Sequence, residues 1–118
     1  MWPFAKSQPV LDAPPEINSA APAEPDRVEE ARLKMAEADA ELGRACKEKR
    51  FFREMHGIRT VGPEVFYGCR HQSSRLIDHA REGWLWHVQN VGRLLAKFNT
   101  ATAEWSEAKE AAKTANHA

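Results

Sequence analysis

Cysteine is scarce in this chain of 118 residues: only Cys46 and Cys69 are present. Two thiols are too few for a disulfide scaffold, and they read most simply as reduced thiols in a helical protein. Long hydrophobic runs are also absent. No apolar stretch approaches the ~18 to 20 residues that cross a bilayer, and the first residues lack the apolar segment of a secretory signal. The expectation is a cytoplasmic protein without a membrane partner. Proline is nearly missing beyond residue 25, since six of the seven stand at positions 3, 9, 14, 15, 22 and 25. Neither sign of charge prevails, with 17 basic and 17 acidic side chains.

The motifs of catalysis are missing too. There is no GxxxxGKS/T or GxGxxG loop to cradle a phosphate, no HExxH, and no GxSxG after a strand. Bundle di-metal enzymes need Glu-x-x-His pairs; His79-Ala80-Arg81-Glu82 has the reverse order. Cys46, His56, Cys69 and His71 would all fall toward one end of a helical hairpin, and zinc accepts that mixture of ligands. Their spacing is not that of a zinc motif, however, and on one helix Cys69 and His71 would point in nearly opposed directions. The same pairing leaves a Cys46–Cys69 disulfide geometrically open but out of place in a reducing compartment. The chain reads as a non-enzyme with no cofactor and no metal.

Prolines divide the chain. Residues 1–25 form a Pro-rich arm in which helix is disfavoured, expected to be extended and disordered. Its opening, Trp2-Pro3-Phe4, reads as a docking peptide or as an aromatic pair folded back on an apolar stripe of the same protein. Residues 26–118 form one helical domain. Asp26 followed by Glu29 has the capping-box pattern. A 3-then-4 spacing through Val28, Ala31, Met35, Ala38, Leu42 and Ala45 predicts helix 1 over 26–56, stopped by Gly57. A connector, 57–63, ends at Pro63, which suits the first position of helix 2 over 64–115. The strongest regularity follows: Ile77, Trp84, Val91, Phe98, Trp105 and Ala112 recur every seven residues, with Ala80, His87, Leu94, Ala101, Ala108 and Ala115 three later. This is a heptad seam. Trp84 belongs to it and Trp86 should face outward. Breaks near Gly83, Gly92 or Asn99 would let the last part fold back as a third helix.

The fold class is therefore all-α, an antiparallel helical hairpin or coiled coil with a long second helix. With the connector centred on residue 60, Leu42 should meet Ile77, Met35 should approach Trp84 or Leu85, and Val28 should reach Val91. Leu94, Leu95, Phe98 and Trp105 would then lie beyond helix 1. Together with the outward Trp86 they make a candidate surface for a protein partner or a second copy.

Charge is segregated. Residues 1–42 carry four basic and nine acidic groups, 43–75 eight and three, and 76–118 five and five. The basic tip includes Lys49, Arg50, Arg53, Arg70 and Arg75, interleaved with Phe51, Phe52, Phe66 and Tyr67. It suits an acidic protein surface or nucleic acid, or it merely solvates the end of a bundle. The function expected is protein–protein interaction without catalysis: an adaptor, an assembly subunit, or a small inhibitor of the kind made by phages and mobile elements. A nucleic-acid-binding accessory protein using the basic tip is the alternative.

Overall fold

The computed structural model describes residues 24–117, with side chains from Asp26 to Ala115. Most of the arm, including the docking candidates Trp2 and Phe4, lies outside the described residues. The chain is mostly helical: α1 spans Glu24–His56 and α2 spans Ser74–His117, with strands β1 (Arg59–Val61) and β2 (Val65–Gly68) between them. Helix α1 starts two residues before the Asp26 cap signal. Pro25 thus sits in its first turn, where amides lack an intrahelical acceptor in any case.

The end of α1 follows from local chemistry. Gly57 adopts φ +60°, the amide of Ile58 donates to the Arg53 carbonyl at 2.9 Å, and that of Gly57 reaches Glu54 at 3.4 Å. These paired bonds are a Schellman cap, and Ile58 supplies its buried apolar contact. At the other boundary Ser73 caps α2, its Oγ accepting from the Leu76 amide at 3.4 Å.

The connector is longer than the expected 57–63 and is not a simple turn. Residues 59–61 pair antiparallel with 65–68, with Val61 opposite Val65 and an irregularity between Arg59 and Thr60. Pro63 is at the apex rather than at the start of a helix: the Glu64 amide donates to the Gly62 carbonyl across it at 2.8 Å. Such an i to i+2 bond suits proline, whose ring fixes the required negative φ. Phe66 and Tyr67 accordingly belong to a strand. Cys69 and His71 also lie outside α2, which removes the opposed-face argument made for them on a helix.

Helices α1 and α2 pack along a seam of small residues. Ala38 and Ala45 on α1, and Ala80, Leu94, Ala101 and Ala108 on α2, are buried at heptad spacing, with Trp84 only 1% exposed. The helices run in opposite directions, since Phe52 stacks near His87, Glu41 pairs with Lys97 and Lys34 with Glu104. The expected register would have put Lys34 beside residue 86, so the pairing is displaced by about five turns. Two causes account for this. Helix α2 begins ten residues later than expected, and its first two turns run past the end of α1 beside the β-hairpin. As a result α1 accompanies almost all of α2. The expected bare segment is corrected: Leu94 is buried, Phe98 and Trp105 are half-buried, and only Leu95 stays 46% exposed.

Helix α2 is continuous through Gly83, Gly92 and Asn99, so the alternative of a break and a third helix is not realised among the described residues. Gly83 has a packing reason: a Cβ there would lie 2.3 Å from Cζ of Phe52, whereas nothing lies within 4 Å at Gly92. Substitution by alanine should therefore have opposite effects at the two positions. Gly83→Ala is expected to destabilise by about 1–3 kcal/mol through overpacking. Gly92→Ala should stabilise by up to about 1 kcal/mol through helix propensity. Urea unfolding of both variants beside wild type checks this, and a Gly83→Ala protein as stable as Gly92→Ala would mean that Phe52 is not seated against α2.

Candidate functional site

Three side chains from three elements meet at the tip. Lys49 of α1 places Nζ 3.0 and 2.7 Å from the two carboxylate oxygens of Glu64, and the Trp84 indole N–H of α2 donates to the Glu64 carbonyl at 2.8 Å. Glu64 itself has φ +67°, a left-handed conformation unfavourable for a residue with a Cβ. Lys49 Nζ and the Arg53 guanidinium each stand 5.7 Å from the Trp84 ring centroid. At that distance the ring face attracts both cations. The β-hairpin is thereby held over Trp84. An apolar groove of about 370 Å³ opens beside it, bounded by Val65, Phe66, Trp84, Leu85 and Val88, with Arg81 over the Phe66 ring at 5.2 Å.

This groove is the closed end of a longer apolar face. At about 100° per residue, Met35, Leu42 and Cys46 fall on one side of the Ala38–Ala45 line, while Glu41, Arg44 and Glu48 fall on the other. On α2 the division repeats, with Val88, Val91, Leu95 and Phe98 on one side and Asn90, Arg93 and Lys97 on the other. The charged sides line one groove with Glu41, Arg44, Glu48, Asn90, Arg93 and Lys97 on its walls. The opposite sides form the apolar face, whose members are half-buried apart from the more exposed Leu95. A two-helix layer cannot bury both of its faces by itself. Trp105 lies toward the open end of the pair, with Lys109 Nζ 3.7 Å from its ring centroid.

The seam ends in a chain of rings. Exposed Trp86 stands edge-on to His87, at 5.0 Å between centroids, which confirms that Trp84 and Trp86 face different ways. His87 leads to Phe52 (4.8 Å) and Phe52 to His56 (4.4 Å). His56 Nδ1 and His71 Nε2 are 2.8 Å apart, and the His79 ring lies 5.7 Å from that of His56. No set of three or more His, Cys, Asp or Glu among the described residues is arranged to hold a metal. Cys46 and Cys69 are unpaired and half-buried.

The basic tip divides into structural and unengaged cations. Lys49 is tied to Glu64, Arg70 donates to the Glu54 carbonyl at 2.8 Å, and Arg53 reaches Thr60 Oγ1 at 3.5 Å. Arg50 and Arg75 are exposed and make no ion pair or hydrogen bond among the described residues. Of the surface candidates read from sequence, Trp86 and Leu95 are exposed on different sides of α2, and Leu94 is enclosed between the helices. Met35, Leu42, Val88 and Val91 were not singled out as surface residues, because the expected register buried them. No helix of the described residues is long and apolar enough to cross a membrane. Comparison with known proteins finds no matching family model, no similar curated protein and no similar solved structure.

The imidazoles give the protein a pH response. Burial holds the pKa of His56 below 6.5, helped by the positive charge that His71, His79 and Arg70 bring near it. Burial likewise lowers that of His87, opposed by Glu48. With folded values depressed, the unfolded chain takes up protons first as pH falls. Stability that is complete above 6.5 is therefore lost as pH falls through 6.5 and through the lower folded values. We expect the urea midpoint to drop between about pH 7.5 and 5.5, and the drop to shrink in a His56→Gln/His87→Gln protein. An equal drop in both proteins would remove these two imidazoles as its source.

Proposed function

We propose that this chain is a non-catalytic protein-interaction module, and that its working surface is the apolar face running from Val88 to Phe98 on α2 and from Met35 to Cys46 on α1. The observation that carries this reading is the two-sidedness of the helix pair. One side carries the Lys34–Glu104 and Glu41–Lys97 pairs, with exposed Phe51 and Trp86 toward the tip, and the other offers Met35, Leu42, Val88, Val91, Leu95 and Phe98 as a continuous apolar stripe without a covering element among the described residues. Burying a large apolar side chain contributes about 1.5–3 kcal/mol, so completing the burial of several such groups supports a stable complex. We read the pair as a coiled-coil stem whose heptad seam joins α1 to α2. Its second apolar side serves a partner, as in an adaptor, an assembly subunit or a small protein inhibitor. The unpaired thiols accord with a cytoplasmic setting.

The reading separates a surface from a core. In dilute solution Val88→Asp and Leu95→Asp should leave helix content unchanged and shift stability by less than about 1 kcal/mol, as substitutions on an open surface do. Circular dichroism and urea unfolding check this. Loss of more than about 3 kcal/mol from either would show the face to be an internal core and overturn the proposal.

One observation favours a second reading, nucleic-acid binding at the tip: Phe51 and Tyr67 are 64% and 68% exposed in a segment that also carries the unengaged Arg50 and Arg75. Exposed rings with free cations suit stacking on bases and contact with phosphates. Binding of a labelled single-stranded oligonucleotide, followed by anisotropy, should weaken steeply with salt and fall in Arg50→Ala/Arg75→Ala. No binding at low salt would dismiss this reading.

A further inference from the structure

We infer that His56, His71 and His79 form a proton-operated latch at the foot of the β-hairpin, which joins the end of α1 to residues 69–73 while the imidazoles are neutral and releases them when protonated. The helix pair itself stays closed. This latch is independent of the apolar face, and it differs from the acid sensitivity of overall stability in being a local change within the folded state. The cluster draws one imidazole from each of three parts of the chain: His56 is the last residue of α1, His71 lies between β2 and α2, and His79 is in the second turn of α2.

The hydrogen bond between His56 Nδ1 and His71 Nε2, 2.8 Å long, limits how many protons the pair can hold. It needs one ring to offer a lone pair. Two neutral imidazoles satisfy it, and so does one neutral ring beside a charged one, but in two imidazolium rings every nitrogen carries a hydrogen and N–H faces N–H. The second proton therefore breaks the bond. The surroundings oppose that proton as well, because the groups that bear on His56 are His71 and Arg70 from the connecting segment and His79 from α2, whose ring lies 5.7 Å away. All are cationic or become so in acid. On α1 itself the neighbouring ring is Phe52, and Glu54, two residues back, points to another side of the helix. Asp78, next to His79, is paired with Arg81 at 2.8 Å. Among the described residues no carboxylate offsets the charge that collects on His56.

What the latch holds is a set of contacts to the last turn of α1. The Arg70 amide donates to the His56 carbonyl at 3.0 Å, and the Arg70 guanidinium donates to the Glu54 carbonyl at 2.8 Å. Neither bond involves the seam between the helices. Once the rings repel, Arg70 and His71 move away from α1 and water reaches these carbonyls. The far end of the hairpin is anchored elsewhere, by Glu64 to Lys49 and Trp84, so the opening is confined to its foot. In the open joint His56 is freed from burial and from the neighbouring charges, and its pKa returns toward 6.5 from the lower value of the closed joint. The open form thus binds more protons. The latch is fully shut above 6.5 and gives way as pH falls through 6.5 and through the lower closed value.

Amide hydrogen exchange of the full chain, followed by NMR and corrected for the intrinsic pH dependence of exchange, tests the latch. Between about pH 7.5 and 5.0 the protection of the Arg70 amide should fall about tenfold or more, while the seam amides of Leu94 and Ala101 keep theirs. In His71→Gln, which has no second ring to charge, this fall should be lost. His79→Glu should also retain Arg70 protection at the lower pH, because it puts an anion where a third cation would form. An Arg70 amide equally protected at both pH values overturns the inference. So does a fall shared equally by Leu94 and Ala101, which is loss of the whole fold, or one undiminished in both variants.

Discussion

The hydrogen bond from the Trp84 indole to the carbonyl of Glu64 decides how far along α2 the first helix lies. Glu64 is the last residue of the hairpin turn, and its carboxylate is gripped by Lys49 about two turns before the end of α1. Joined in this way, α1, the turn and α2 have no freedom to slide. Sliding α2 by one heptad would present Ile77 or Val91 in place of Trp84, and neither has a donor for the part-buried carbonyl. The alanines of the seam do not discriminate in that manner, because successive heptads offer nearly the same small surface. Register in this protein is set at one end by a polar contact and carried along the rest by packing that would tolerate alternatives.

Much of the fold was legible in the sequence. The seven-residue recurrence from Ile77 to Ala112 identified the long helix and separated Trp84 from Trp86. The spacing of Ala31, Ala38 and Ala45 identified its companion, and Gly57 its end. The connector was misread because Pro63-Glu64 suits a helix start as well as a turn. Thr60-Val61 and Val65-Phe66-Tyr67, rich in β-branched and aromatic residues around Gly62-Pro63 and closed by Gly68, carried the competing signal of a β-hairpin. That single choice moved the register and left Leu94 and Trp105 with no neighbour. Gly83 was a cost when only helix propensity was counted; the closeness of Phe52 to its backbone is a tertiary fact that no local pattern contains. Of the candidate surface, Leu95 and Trp86 were visible from their positions, whereas the breadth of the apolar face across both helices required the true register.

The two sides of the helix pair differ in what they ask of their surroundings. Along the charged side, Lys34–Glu104 and Glu41–Lys97 bridge the helices at positions open to water, where such pairs contribute little stability but orient the helices. The apolar side has no such accommodation with water. Its side chains are half-buried by their own helix neighbours, which lessens exposure without completing a core. The layer of two helices thus carries one apolar seam that the helices close between them and a second apolar stripe that no element covers among the described residues, and the sequence of each helix writes the two on adjacent faces.

The left-handed backbone at Glu64 also bears on the order in which the molecule assembles. An isolated segment from Arg59 to Gly68 gains few ladder bonds from strands of three and four residues, and it must hold a non-glycine residue in an unfavourable conformation. Its stabilising partners, Lys49 and Trp84, come from opposite sides in sequence and are brought together only when the helices have paired. The hairpin is therefore a product of helix docking and not its nucleus. Its conformation depends on contacts that residues far apart in the chain bring to it, although the hairpin itself lies at the centre of the sequence.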